Sequence, residues 1–217
     1  MPENDREKLV IGVSGASGII YALRALDACR DLGVETHLVV SRAAGLTLAQ
    51  ETGLSPADLE AKAHIAYKVA DVGAAIASGS FRTMGMLIAP CSVRTMSEIA
   101  TGVTSSLLTR AADVTLKERR PLVLMVRETP LHLGHLRTLV KLAEMGAVIA
   151  PPLATPIPGL LLLVPVLVPV MLMVPLAVVT LWLSSSTASI QPRDKNFPRD
   201  AFTAWPPGCR AVAPAPV

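Results

Sequence analysis

Apolar residues gather at positions 9–13 in a short run rich in β-branched side chains. The glycine-rich Ser14-Gly15-Ala16-Ser17-Gly18 follows, and apolar positions then recur at helical period over 19–32. The pattern predicts strand, turn and helix. Gly33 predicts the helix stop, and residues 34–40 read as a second strand ending at Ser41, with Ser41-Arg42 opening another helix. Ser55-Pro56 combines a cap with a proline at the first helical position, so a short helix is expected over 57–64. Residues 84–89 form a further buried strand that Pro90 should break. Helical period returns over 105–120 and ends on Lys117, Arg119 and Arg120, cations that suit the negative end of the helix dipole, before Pro121. Residues 122–126 read as a strand, Thr129-Pro130 as the start of a helix lasting to Met145, and 147–150 as a last strand after Gly146. Strands alternating with helices of this length predict an α/β fold, a parallel sheet with helices on both faces.

In such a sheet ligands bind beyond the carboxyl ends of the strands. The first turn, residues 14–18, leads into a helix N-terminus that favours phosphate, but its spacing matches neither a dinucleotide fingerprint nor a Walker loop. A plain tight turn explains it equally well. The second strand end, Ala89-Pro90-Cys91-Ser92-Val93-Arg94-Thr95, offers hydroxyls, backbone donors and a guanidinium, while a capped helix with a solvated arginine is its simpler reading. Cys91 has no general base nearby in sequence and reads as a small buried residue. At the third strand end Arg127 and Glu128 form either a rim salt bridge or a site carboxylate held near a cation. His132 and His135 lie three apart with no third ligand at suitable spacing, so they read as helix-surface or interface histidines, and His37 and His64 carry no signal.

Composition narrows the class. A chain of 217 residues that is 51% hydrophobic and 17% charged suits one α/β domain with a sizeable core and excludes an intrinsically disordered chain. Three cysteines, Cys29, Cys91 and Cys209, are too few and too dispersed for a disulfide framework or a four-ligand zinc site, so a reducing cytoplasm is expected. The net charge of +3 has no dense basic face behind it, which argues against a nucleic-acid partner. A polar N-terminus and a short first apolar run lead to the expectation of no signal peptide. The charges are unevenly placed: residues 153–192 contain no Asp, Glu, Lys or Arg.

Seven segments, taken in order, resemble the UbiX-type flavin prenyltransferases over residues 8–152. They are Ser14-Gly15-Ala16-Ser17-Gly18, Glu35-Thr36-His37-Leu38-Val39-Val40-Ser41, Ser78-Gly79-Ser80-Phe81-Arg82-Thr83, Ala89-Pro90-Cys91-Ser92, Leu108-Thr109-Arg110-Ala111-Ala112-Asp113-Val114, Leu116-Lys117-Glu118-Arg119-Arg120 and Arg127-Glu128-Thr129-Pro130-Leu131. The resemblance implies a flavodoxin-like or Rossmann-like homo-oligomer, a dodecamer in the family. It implies binding of reduced FMN and dimethylallyl monophosphate and their joining, without a metal, at flavin N5 and C6. The product, prenylated FMN, is the cofactor of UbiD-type decarboxylases, including those of ubiquinone biosynthesis. By position, Gly15, Ala16 and Ser17 resemble the family's first FMN loop, Ser41 a second contact, Ser92, Val93, Arg94 and Thr95 a third, and Arg127 a fourth. Glu128 resembles the acid/base carboxylate, with Ser17 as its relay near N5. Arg110 and Lys117 resemble the cations that hold the allylic phosphate, reaching it from a neighbouring subunit, and Glu51 is a lesser candidate. The alternative enzyme class is the FMN-dependent cysteine decarboxylases, against which Arg94 counts because their loop carries Asn there. A non-enzymatic alternative is an inactive or membrane-attached flavin-binding remnant.

That alternative arises because the resemblance breaks after Pro151-Pro152. The family continues with a tyrosine that helps bind the allylic phosphate, whereas this chain reads Leu153-Ala154-Thr155-Pro156-Ile157-Pro158-Gly159 and has no tyrosine after Tyr67. Three segments are therefore expected: a flavin-binding domain over 1–152, an anomalous uncharged segment over 153–192 and a tail over 193–217. Residues 160–183 are long and apolar enough for a membrane helix, although Pro165, Pro169 and Pro175 interrupt them, and Arg193, Lys195, Arg199 and Arg210 would suit a cytoplasmic flank. The stretch Phe197-Pro198-Arg199-Asp200-Ala201-Phe202-Thr203-Ala204-Trp205 again resembles the family tail. Compensating frameshifts explain that return better than a genuine membrane span or an unusual buried segment does. The expected consequence is a chain found in membrane or insoluble fractions that yields little prenylated FMN.

Overall fold

The computed structural model describes residues 7–152. The expectations for 153–192 and 193–217, the apolar run included, lie outside the described residues. Six strands, β1 (Lys8–Val13), β2 (Glu35–Val40), β3 (Ile65–Tyr67), β4 (Gly85–Cys91), β5 (Leu122–Val126) and β6 (Val148–Ile149), form one sheet in the order β3-β2-β1-β4-β5-β6. Every pairing is parallel. Six helices connect them: α1 (Ile20–Asp31), α2 (Arg42–Thr52), α3 (Pro56–Glu60), α4 (Val93–Thr101), α5 (Leu107–Lys117) and α6 (Leu133–Glu144).

The pleat divides the core in two. Leu9, Ile11 and Val13 of β1 join Leu87 and Ala89 of β4 against Ala22, Leu26 and Cys29 of α1. Val10, with Met86 and Ile88, faces the other way onto Met96 of α4 and Leu107, Leu108 and Ala111 of α5. Central strands covered on both faces need apolar residues at consecutive positions, which is why β1, β4 and β5 read as unbroken runs.

Four boundaries differ from the sequence reading. The helix expected over 57–64 ends at Glu60, after a capping box in which Ser55 and Asp58 bond reciprocally. The chain then turns into β3, an edge strand of three residues with no burial pattern to betray it. Pro90 does not break its strand: β4 runs through it to Cys91, and the pairing with β5 shifts register between Ile88 and Cys91, so the missing N–H falls where the ladder is already irregular. Thr129-Pro130 does not start α6. His132 does, its Nδ1 accepting from the N–H groups of Gly134 at 3.0 Å and His135 at 3.4 Å, which makes His132 a cap rather than a residue on the helix surface.

His37, silent in the sequence, is a satisfied core histidine. It is 1% exposed, its Nε2 donates to Glu35 Oε1 at 2.9 Å, and its Nδ1 accepts from the Tyr67 hydroxyl at 2.9 Å. Burial pushes its pKa below the ordinary 6.5, against the raising effect of Glu35, with Lys8 and His64 adding to the depression. The unfolded chain therefore takes up a proton near pH 6.5 that the folded chain refuses, so this contribution is complete above that pH and is lost on acidification. Thermal unfolding followed between about pH 7.5 and pH 5 should show Tm falling with acid. His37→Gln, less stable throughout, should show a shallower fall; an equal slope in both proteins would remove His37 from this role.

Candidate functional site

β1 pairs with β2 on one side and β4 on the other, while α1 leaves β1 over one face and α4 leaves β4 over the other. The two connections therefore part at the carboxyl ends of β1 and β4 and leave a crevice there. Ser14, 1% exposed, ties its rims together. Its N–H and Oγ both donate to the Pro90 carbonyl, at 3.2 and 3.0 Å, and its Oγ accepts from the Ser92 N–H at 2.7 Å. Next to it, Gly15 lies against the first turn of α2 so closely that a Cβ there would fall 2.4 Å from the Ala43 Cβ.

Three helices begin at this crevice, each on a serine cap. Ser41 Oγ accepts from the Ala44 N–H at 3.1 Å, Ser92 Oγ from Thr95 at 3.3 Å and Ser106 Oγ from Thr109 at 3.4 Å. The positive ends of α2, α4 and α5 thus converge, a geometry that favours an anion. Between them lies a cavity of about 440 Å³, within the usual range for small-ligand sites. Gly15, Ser41, Ser92, Arg94 and Thr95 line it, as the sequence reading expects, together with Arg42, Glu98, Ser105, Ser106 and Thr109, which that reading lacks. Ala43, Val69, Ala70 and Leu108 supply its apolar wall. Two guanidiniums face one carboxylate, so the lining is net cationic. The size, the apolar wall and the converging N-termini fit a flat aromatic ligand carrying a phosphate, as FMN does.

The remaining expected residues do not line this cavity. Ala16 and Ser17 continue the first turn, with Ser17 exposed, and Val93, the first residue of α4, packs against the core. Arg127 is bonded through its N–H to the Cys91 carbonyl at 3.1 Å, which brings the end of β5 beside that of β4. Glu128 follows, exposed, accepting from the Thr129 N–H at 3.0 Å, and no ion pair joins it to Arg127 among the described residues. Arg110 pairs with Asp113 at 3.1 Å and Lys117 with Glu118 at 2.8 Å, both on solvent-accessible parts of α5. Glu51 lies at the turn after β1: its two carboxylate oxygens each accept from the Gly18 N–H at 3.0 Å, and one from Ile19 at 2.9 Å. It thereby ties the end of α2 to the turn that leads into α1. Cys91 is fully buried and burial pushes its thiol up to about 12, as befits an inert packing residue. Among the described residues no three His, Cys, Asp or Glu side chains are grouped to hold a metal, and no helix is long and apolar enough to cross a membrane.

A flavoprotein family model matches residues 2–159. The flavin prenyltransferase UbiX of Escherichia coli (strain K12) is 56% identical over 147 residues, covering 67% of this chain and 78% of that protein. Among solved structures, AnUbiX (PadA1) in complex with FMN and dimethylallyl pyrophosphate matches with a TM-score of 0.68 at 43% identity, over 69% of this chain and 80% of that one. A dodecameric FMN-dependent UbiX-like decarboxylase from Escherichia coli O157:H7 matches with a TM-score of 0.67 at 44% identity, over 68% and 80% of the two chains.

Proposed function

The chain belongs to the flavoprotein family and, within it, to the UbiX-type flavin prenyltransferases, and on that premise we propose that it moves a dimethylallyl group from dimethylallyl monophosphate to N5 and C6 of reduced FMN. The observation that carries this reading is the convergence of three serine-capped helix starts and two arginines on one cavity at the point where the sheet order reverses. In this reading Gly15, Ala16, Ser17, Ser41, Ser92, Val93, Arg94, Thr95 and Arg127 hold the flavin. The allylic C–O bond breaks with phosphate as the leaving group while the freed carbon bonds to N5, which gives up its proton; protonation of the remaining double bond would then let its tertiary carbon bond to C6, the C6 proton being taken up by Glu128 or the departing phosphate. Ser17 relays protons near N5. Arg110 and Lys117, supplied by a neighbouring copy, neutralise the leaving phosphate as charge builds on it.

Assembly into a homo-oligomer is supported by a stripe on α6, where Leu133, Leu136 and Val140 are 60%, 46% and 58% exposed. The product would pass to a UbiD-type decarboxylase in the cytoplasm. Arg94 at the position where the cysteine decarboxylases carry Asn disfavours that alternative chemistry. With no tyrosine after Tyr67, the donor phosphate depends on Arg110 and Lys117, and turnover should be slow.

Full-length protein incubated anaerobically with reduced FMN and dimethylallyl monophosphate should form prenylated FMN, identified by mass, in small amount and far more slowly than the Escherichia coli relative assayed beside it. Bound FMN that is never alkylated at saturating donor, whether mono- or pyrophosphate, would contradict the prenyl-transfer reading.

A further inference from the structure

Arg94 and Glu98 sit on α4 in an arrangement that helix stability does not explain. A cation in the first turn of a helix opposes the dipole, and an acid placed one turn C-terminal to its basic partner is the weaker orientation of an i,i+4 pair. Yet the pair is well formed: Arg94 Nε donates to Glu98 Oε1 at 2.8 Å. The partners differ in setting, the Arg94 side chain being 85% exposed and that of Glu98 19%. The other carboxylate oxygen, Oε2, accepts from the Ser105 hydroxyl at 2.7 Å, which ties α4 to the loop that leads into α5. Arg94, Glu98 and Ser105 all line the cavity.

Partial burial alone would raise the Glu98 pKa, but the hydrogen bonds from Ser105 and Arg94 and the Arg94 charge hold it below the ordinary carboxylate value. It is therefore ionised at neutral pH. A carboxylate in a cavity built for an anion works against that anion unless it serves the cation beside it.

We propose that Glu98 is a positioning residue for the flavin phosphate: it grips the Nε edge of the Arg94 guanidinium and leaves the Nη1–Nη2 edge free for two-point bonding to phosphate oxygens. A long, exposed arginine otherwise samples many rotamers, and a planar fork delivers its bidentate geometry only when its orientation is fixed. Through Ser105 the same carboxylate holds the start of α5, whose cap Ser106 is the next residue, at a constant distance from α4. Glu98 thus acts through Arg94 and touches no reacting atom. The inference rests on the flavin reading of this cavity.

The test is a double-mutant cycle on the full-length chain, with dissociation constants for FMN and riboflavin measured by fluorescence quenching and folding checked by thermal unfolding. Glu98→Ala should weaken FMN about fivefold, Glu98→Gln should fall between it and the unsubstituted chain, and riboflavin, which lacks the phosphate, should bind all three alike. In an Arg94→Met background Glu98→Ala should have no further effect on FMN. Equal or tighter FMN binding by Glu98→Ala, equal weakening for riboflavin, or full additivity with Arg94→Met would each overturn the proposal while leaving the flavin reading intact. Failure of the unsubstituted chain to bind FMN would sink both.

Discussion

Glu128→Gln should cut prenyl transfer by roughly 100-fold or more while leaving FMN affinity within about twofold, since a positioned acid or base contributes on the order of 10² to 10⁴ in rate. Glu128 stands at the carboxyl end of β5 with its carboxylate exposed and oriented by the Thr129 N–H at 3.0 Å. A glutamine carbonyl accepts that same bond, so the loop keeps its shape. What the variant lacks is a group that takes up a proton. It lines no part of the cavity wall, and binding should therefore separate cleanly from chemistry. Single-turnover assays with bound reduced FMN and saturating dimethylallyl monophosphate measure the chemical step directly. Turnover at the unsubstituted rate would remove Glu128 from the proton path and leave the departing phosphate as the base.

Gly15→Val should abolish detectable FMN binding. The Cβ of any residue at this position meets Ala43 Cβ at 2.4 Å, with the Ala43 backbone carbon at 3.0 Å and its Cα at 3.2 Å, so the first turn of α2 must retreat. That turn carries Ser41 and Arg42, two of the groups that define the cavity. Overpacking of this kind costs about 1–3 kcal/mol, a cost that a fold of this size tolerates. The ligand site is the element that gives way. Gly15→Ala should weaken FMN less, and adding Ala43→Gly to it should recover part of the loss, because the worst contact is with the Ala43 methyl. Unaltered affinity in Gly15→Val would mean that FMN is held away from the β1–α2 junction.

The strands and the cavity rims follow from the chain read as text because they depend on local chemistry. Apolar runs of five or six residues, bounded by glycine, proline and serine, mark β1, β4 and β5 within a residue or two, and the Gly33 stop and Ser41 mark β2. Ser14 to Gly18 and Ser92 to Thr95 lie at strand ends, and their meeting is a consequence of β1 pairing with β4, which the resemblance anticipates and pattern alone does not. Arg42, Ser106 and Thr109 escape notice because they become site residues only when α2 and α5 point their starts at one cavity. Glu98 was readable as the i,i+4 partner of Arg94, but nothing in the sequence says that Ser105 closes on its other oxygen. Glu51 is the clearest case of a nonlocal role: the N–H groups it accepts from are 33 and 32 residues away, and only the fold brings the end of α2 to the turn before α1. Pro90 and Thr129-Pro130 mislead for a common reason. Proline forbids a hydrogen bond at one atom, and a register shift in one case and a histidine cap in the other satisfy the backbone without it.

In the proposed reading the cavity at the β1 and β4 strand ends is the FMN site. A crystal structure of the full-length chain grown with FMN tests it most directly. Flavin is expected in the cavity between Gly15 and Leu108, with its phosphate within hydrogen-bond distance of Ser41, Ser92 or Arg94. An empty cavity at saturating FMN, or a flavin seated on another face of the sheet, would contradict it.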